Sequence, residues 1–347
     1  MFFYFVIFFT SLSLGLVILN NLIKNFYDLD ITDKKLNLVS RVRWGDSKKS
    51  HLGGIAFSAT LIFTNLLIII FFKDIFLSNY KDFIFFSSII LLSGFFGFLD
   101  EKYSCKPTEK IILQLIISIL LVVNDKQINF SPNEIVNITI TILYYVAFFN
   151  ILNMFDNIDL GLSSIGVPII IFLMLFNISL GNNIILLSFL ASLIAFSYFN
   201  SYPSKIFMGD IGSFQLATVL AASSVNIFWS DYEFRGYISS IYQIGLQNII
   251  FLLPIADFII VTIARVTKGK SIFTGDTNHI SHIFNLRIKN INLLGLIFFI
   301  IVICLAFCFY LITNFFIPGK HSLFSIVFFY ISFLGLIYYL YKSSKND

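Results

Sequence analysis

Residues 83–101 read FIFFSSIILLSGFFGFLDE: seventeen positions without an ionisable side chain, closed by the adjacent carboxylates Asp100 and Glu101. A run of that length rises about 26 Å as an α-helix, close to the ~30 Å of a bilayer core. The stretch therefore predicts a membrane-spanning helix that ends in acid. The same pattern recurs along the chain, with spans expected near 2–23, 52–72, 83–99, 111–123, 136–152, 164–180, 184–200, 213–229, 242–264, 292–314 and 323–341. Composition agrees, since 58% of the residues are hydrophobic and 12% charged, against roughly 25% charged in a soluble domain. The predicted fold is an all-α polytopic integral membrane protein of about eleven transmembrane helices. Its loops are too short for a soluble unit, so residues 1–347 read as a single membrane-embedded domain.

The first span lacks the basic start and small-residue cleavage site of a secretory signal, and it reads as a true helix. Cys105, Cys304 and Cys308 form neither a disulfide framework nor a zinc signature.

Orientation follows from lysine and arginine. With eleven spans, alternate loops place 18 of the 23 on one side, among them Lys24, Lys34, Lys35, Arg41, Arg43, Lys48, Lys102, Lys110 and Arg287. The other side carries Lys73, Lys81, Lys126, Arg235 and Lys320. Basic residues concentrate in cytoplasmic loops, so the N-terminus is expected outside and the C-terminus in the cytoplasm. The net charge of +4 is spent on topology, and no nucleic-acid partner is expected.

Five polar clusters interrupt the apolar sequence, each at the end of a span and each in the basic set. They are His51-Leu-Gly-Gly54, Asp100-Glu101, Asn150-x-x-Asn153-x-x-Asp156-x-x-Asp159, Gly209-Asp210-Ile-Gly-Ser213 and His279-Ile-Ser-His282. Adjacent carboxylates supply hard oxygens for Mg²⁺ or accept a proton. A spacing of three drifts about 60° per step around a helix, so Asn150, Asn153, Asp156 and Asp159 converge only if the helix tightens or unwinds nearby. Glycines beside Asp210 at a helix start suit an anion approached through a metal. The two late histidines lack a zinc partner set and fit hydrogen bonding to phosphate or sugar. Asp257 lies inside the ninth span, where an acid marks either a functional path or a packing hydrogen bond.

In this order the clusters resemble the polyprenyl-phosphate N-acetylhexosamine-1-phosphate transferases, bacterial glycosyltransferase family 4. The resemblance runs from about Ser50 to Asn285. It rests on Asp100-Glu101 followed by Lys110 and Gln114, on the Asn150/Asn153/Asp156 pattern, on Gly209–Ser213 after Phe207-Met208, and on His279 and His282. Three positions depart from the family pattern: Glu101 replaces an aspartate, Leu160 precedes Gly161-Leu162, and Ser281 stands where a histidine is common. The last is similar to polysaccharide-initiating branches.

The resemblance implies Mg²⁺-dependent transfer of an N-acetylhexosamine-1-phosphate from a UDP-sugar to undecaprenyl phosphate, with Mn²⁺ as an alternative ion. UMP leaves, and cell-surface polysaccharide or wall-polymer synthesis begins. It further implies Asp210 as metal ligand, and Asp100, Glu101, Asp156 and Asp159 as catalytic candidates. Asn150, Asn153, Lys110, His279, His282 and His51 are the substrate-binding candidates. The implied partners are undecaprenyl phosphate, the UDP-N-acetylhexosamine and the bilayer, with a homodimer admitted. The implied location is the bacterial plasma membrane, with the active site on its cytoplasmic face. The alternatives are a catalytically impaired relative and a secondary transporter, whose polar residues would lie near the bilayer midplane.

Overall fold

The computed structural model describes residues 2–28, 49–72, 80–177, 179–230, 232, 234–269, 271, 279–315 and 320–343. Its helices are α1 (Phe2–Asp28), α2 (Ile55–Phe71), α3 (Tyr80–Tyr103), α4 (Pro107–Val123), α5 (Glu134–Phe155), α6 (Gly161–Phe176) and α7 (Leu180–Asn200). They continue as α8 (Gly209–Trp229), α9 (Tyr237–Asn248), α10 (Leu252–Val266), α11 (Ile280–Ile288), α12 (Ile291–Phe315) and α13 (Lys320–Ser343). Among the described residues there is no β-strand, only an isolated bridge between Ser50 and Ile206.

The fold is thus the expected all-α polytopic one. Eight candidate spans among the described residues are long and apolar enough to cross a membrane. The spans expected near 52–72, 111–123 and 164–180 are shorter helices, α2, α4 and α6, of 17, 17 and 16 residues. Local chemistry sets these lengths. Pro107 starts α4, where a missing N–H costs nothing, and the Glu109 carboxylate accepts from the Lys106 N–H at 2.8 Å. Leu160, at φ 61°, turns the chain sharply into α6. The expected ninth span runs through α9, a 3-10 turn at Ile249–Phe251, and α10. Pro254 has no N–H to bond the fourth carbonyl back, and the backbone tightens just before it. The basic residues Lys34, Lys35, Arg41, Arg43 and Lys48, which weigh in the expected orientation, lie outside the described residues.

Helix packing relies on small and hydroxylated side chains, because lipid-solvated helices gain little from burying apolar surface against one another. Ser11 and Thr64 hydroxyls lie 3.2 Å apart, and Thr64 bonds Ser188 at 3.1 Å, stitching α1, α2 and α7. The centre belongs to α8, whose Ser213, Ala217, Ala221, Ala222 and Ser224 are all buried. By contrast, α13 turns Phe324, Phe328 and Ile331 outward. The starts of α2, α4, α6 and α8 and the ends of α3, α5 and α7 gather at one end of the bundle, where the polar clusters lie.

Candidate active site

The anchor is the start of α8. Gly53 and Gly54 donate N–H bonds to the Phe207 and Met208 carbonyls, each at 3.0 Å, and Phe207 donates to the Ser50 carbonyl at 2.8 Å. The loop before α2 is thereby zipped to the segment leading into α8. Gly209 then takes φ +69°, a left-handed conformation that costs other residues more. A Cβ there would also lie 2.0 Å from the His51 carbonyl oxygen. The chain enters α8 in one way, with Asp210 in its first turn and 1% exposed.

Three further elements bring polar partners to Asp210. From the end of α3, the Glu101 Oε2 accepts from the Asp210 N–H at 3.0 Å, and its Oε1 lies 3.1 Å from His51 Nδ1. A carboxylate at that helix start also meets the positive end of the helix dipole. From α4, the Lys110 ammonium pairs with Asp100 and lies 3.5 Å from Asp210 Oδ2, with the Phe214 ring 5.4 Å away. From α5, Asn153 donates to Asp210 Oδ1 at 3.0 Å and accepts from Lys110 at 3.2 Å, in the amide orientation that satisfies both. Asp100, Lys110, Asn153 and Asp210 therefore form one connected group.

The Asn/Asp run does not act as a unit. As its spacing requires, the helix ends at Phe155 and the chain turns through 156–160. Asn153 faces the Asp210 group, whereas Asn150 exchanges bonds with Gln114, at 2.9 and 3.4 Å. Asp156 sits half-buried at the C-terminal cap of α5. Buried Asp159 accepts from the Ser204 N–H at 3.3 Å, so it steadies the loop ahead of α8. Asn200 does similar work, accepting from the Leu160 N–H at 2.7 Å and donating to the Ile206 carbonyl at 2.8 Å. Nothing in the spacing of Asn200 singled it out.

The histidine motif joins through Asn157, whose side-chain amide oxygen accepts from the Ser281 hydroxyl. The His279 and His282 ring centroids are 6.0 Å apart. Asp257 is the hidden partner: its Oδ2 lies 2.8 Å from His279 Nδ1 and its Oδ1 accepts from the Ile280 N–H at 2.6 Å. All three departures from the family pattern carry contacts here. Glu101 spans to α8, Leu160 makes the turn bonded to Asn200, and Ser281 ties the histidines to the end of α5.

Among the described residues, no group of three or more His, Cys, Asp or Glu gathers as a metal cage. A Mg²⁺ ion usually needs only one or two carboxylates beside water and substrate phosphates. Asp100 and Asp210, two buried carboxylates sharing the Lys110 ammonium, with the Asn153 amide beside Asp210, meet that lesser demand.

The family model described as glycosyl transferase family 4 matches residues 83–228, a stretch with Asp100, Lys110, Asn153 and Asp210 but without His51 or the histidine motif. A phospho-N-acetylmuramoyl-pentapeptide-transferase of Dictyoglomus turgidum is 31% identical over 166 residues, 45% of this chain and 54% of that protein. A probable undecaprenyl-phosphate N-acetylglucosaminyl 1-phosphate transferase of Bacillus subtilis is 28% identical over 202 residues, 54% of this chain and 53% of that one. The chain thus spans about half the length of these two curated relatives. A phospho-N-acetylmuramoyl-pentapeptide-transferase of Streptococcus sanguinis is 25% identical over 276 residues, 72% of this chain and 79% of that protein. The likeness to glycosyl transferase family 4 is thus carried by residues 83–228, which its model matches.

Proposed function

We propose that the protein transfers an N-acetylhexosamine-1-phosphate from a UDP-sugar to undecaprenyl phosphate, releasing UMP and starting a surface polysaccharide or wall polymer. The carrying observation is the convergence of Asp100, Lys110, Asn153 and Asp210 from four helices at the start of α8. An oxygen of the acceptor phosphate attacks the sugar-linked phosphorus, and the bond from that phosphorus to the UMP oxygen breaks. The second pKa of a phosphate monoester is near 6, so the acceptor is mostly an oxyanion at neutral pH and needs no strong base. Asp100, buried and paired with Lys110, is badly set as a nucleophile, which favours direct displacement over a covalent enzyme intermediate.

Phosphoryl transfer depends mainly on positioning and neutralisation of charge. Asp210, with Asp100, would hold Mg²⁺ (or Mn²⁺), which supplies charge neutralisation to the diphosphate when bound. Lys110 adds a fixed ammonium for phosphate oxygens, and Asn153 orients both Lys110 and Asp210. His279 and His282 reach the sugar or diphosphate from the far side of Asn157. The active site faces the cytoplasm, in keeping with the distribution of basic residues.

The test is UMP release by purified protein in detergent, with Mg²⁺, undecaprenyl phosphate and a panel of UDP-N-acetylhexosamines. Release should require both lipid and donor, stop with EDTA, and vanish in a folded Asp210→Asn protein. Unchanged turnover in that variant, or no release with any donor from folded protein, would refute the proposal.

A further inference from the structure

Asp257 is an acid in the interior of the ninth expected span, and the reaction outlined above gives it no part. It is 1% exposed, and both of its carboxylate oxygens are engaged. One meets His279 Nδ1 at 2.8 Å; the other accepts from the backbone N–H of Ile280 at 2.6 Å, at the start of α11. The backbone N–H is an obligatory donor, so Oδ1 is committed. A carboxylate is acceptor-only, so the ring nitrogen facing Oδ2 must carry the proton. In the neutral ring this fixes one tautomer: Nδ1–H toward Asp257, and Nε2 left as the ring's other polar atom. The hydrogen bonds among the described residues leave Nε2 open.

We infer that Asp257 is a positioning residue that sets His279 to present a bare Nε2 as acceptor for a hydroxyl or amide N–H of the donor sugar. This rests on the transferase reading for the identity of the ligand; the hold on the ring rests on the geometry alone. The logic is that of a buried acid orienting an imidazole for work at its far nitrogen. It also accounts for an acid kept in an apolar helix, where burial is costly unless both oxygens are used.

Asp257→Asn separates the two uses of the carboxylate. The asparagine has one oxygen, and the fixed Ile280 N–H claims it. Its NH₂ group then faces Nδ1, which can receive it only as a lone pair, so the ring must move its proton to Nε2. The exchange keeps size and the cap on α11. The experiment is ¹⁵N NMR of histidine-labelled protein in detergent, where protonated and bare ring nitrogens are widely separated. The chain has four histidines, and single replacements assign them. It is paired with steady-state kinetics.

The expected result is Nε2 bare in the unaltered protein and protonated in Asp257→Asn. Loss of one hydrogen bond should raise the donor KM about tenfold. The acceptor-lipid KM and the melting temperature should hold. In a His279→Gln background, Asp257→Asn should cost nothing further, as befits a residue acting through another. Equal damage to both substrates, additive losses, or Nε2 remaining bare in the variant overturns the inference. If the unaltered protein transfers nothing, the transferase reading falls and the ligand assignment with it, while the tautomer shift alone upholds or refutes the hold of Asp257 on the ring.

Discussion

Lys110 carries more than its single charge suggests. It sits between Asp100 and Asp210, both nearly shut off from solvent. Removing one partner of such a group costs about 3–5 kcal/mol, because the remaining charges stay buried and uncompensated. Lys110→Met should therefore melt at a clearly lower temperature in detergent. Added Mg²⁺ should recover more of that stability than it adds to the unaltered protein, because the cation now meets two unopposed carboxylates. Thermal unfolding with and without Mg²⁺ reads this directly, and a variant indifferent to the ion would show that the carboxylates do not hold one. The sequence made Asp100, Lys110, Asn153 and Asp210 legible as candidates because each has a chemistry-bearing side chain at a motif position. It could not show that Glu101 reaches the Asp210 N–H, or that Asp159 serves Ser204. Those partners come from other segments of the chain, and no spacing along one helix encodes them.

At the level of helices, apolar run length was enough to locate the apolar helices, eight of which among the described residues are long and apolar enough to cross a membrane, where a helix must satisfy its own backbone. What it left unread is close approach. Gly97 on α3 faces the start of α8, and a Cβ there would sit 2.2 Å from the Asp210 carbonyl oxygen. Backbone, unlike a flexible side-chain tip, cannot step aside without carrying Asp210 with it. Gly97→Ala should thus destabilise by about 1–3 kcal/mol, the usual cost of overpacking, and should depress UMP release by displacing Asp210. Gly335 on α13 has nothing within 4 Å of the same added atom and is the control, since alanine is the better helix former. Thermal unfolding and turnover of the two variants side by side decide the matter. Equal behaviour would mean that the contact between α3 and α8 does not set the site. The break between α9 and α10 is not legible in the sequence: the span expected at 242–264 is continuous, and the 3-10 turn at Ile249–Phe251 interrupts it.

Over the whole molecule, the polar groups of the candidate site sit at one end of the bundle, and the proposed sense of that end in the membrane rests on 18 basic residues against 5. An anionic donor and an anionic lipid head would both meet helix starts there, with their positive dipole ends. Cys105, in the short link between α3 and α4, reports on the site end. Glu134, exposed at the start of α5, reports on the far end. With Cys304 and Cys308 replaced by serine, a membrane-impermeant maleimide should label Cys105 only in inverted vesicles. A Glu134→Cys protein that also carries Cys105→Ser should react only in right-side-out vesicles. Burial raises the Cys105 thiol above its ordinary pKa, with Asp100 and Glu109 adding to the effect, so less of it is thiolate at neutral pH. Because the thiolate is the nucleophile, the reaction should run at about pH 8.5, near the ordinary cysteine pKa, with denatured protein as the reference for full labelling. The reverse pattern would put Asp100, Lys110 and Asp210 on the outer face. That would overturn the cytoplasmic site while leaving the helix packing untouched, because the same contacts hold a bundle together whichever way it is inserted.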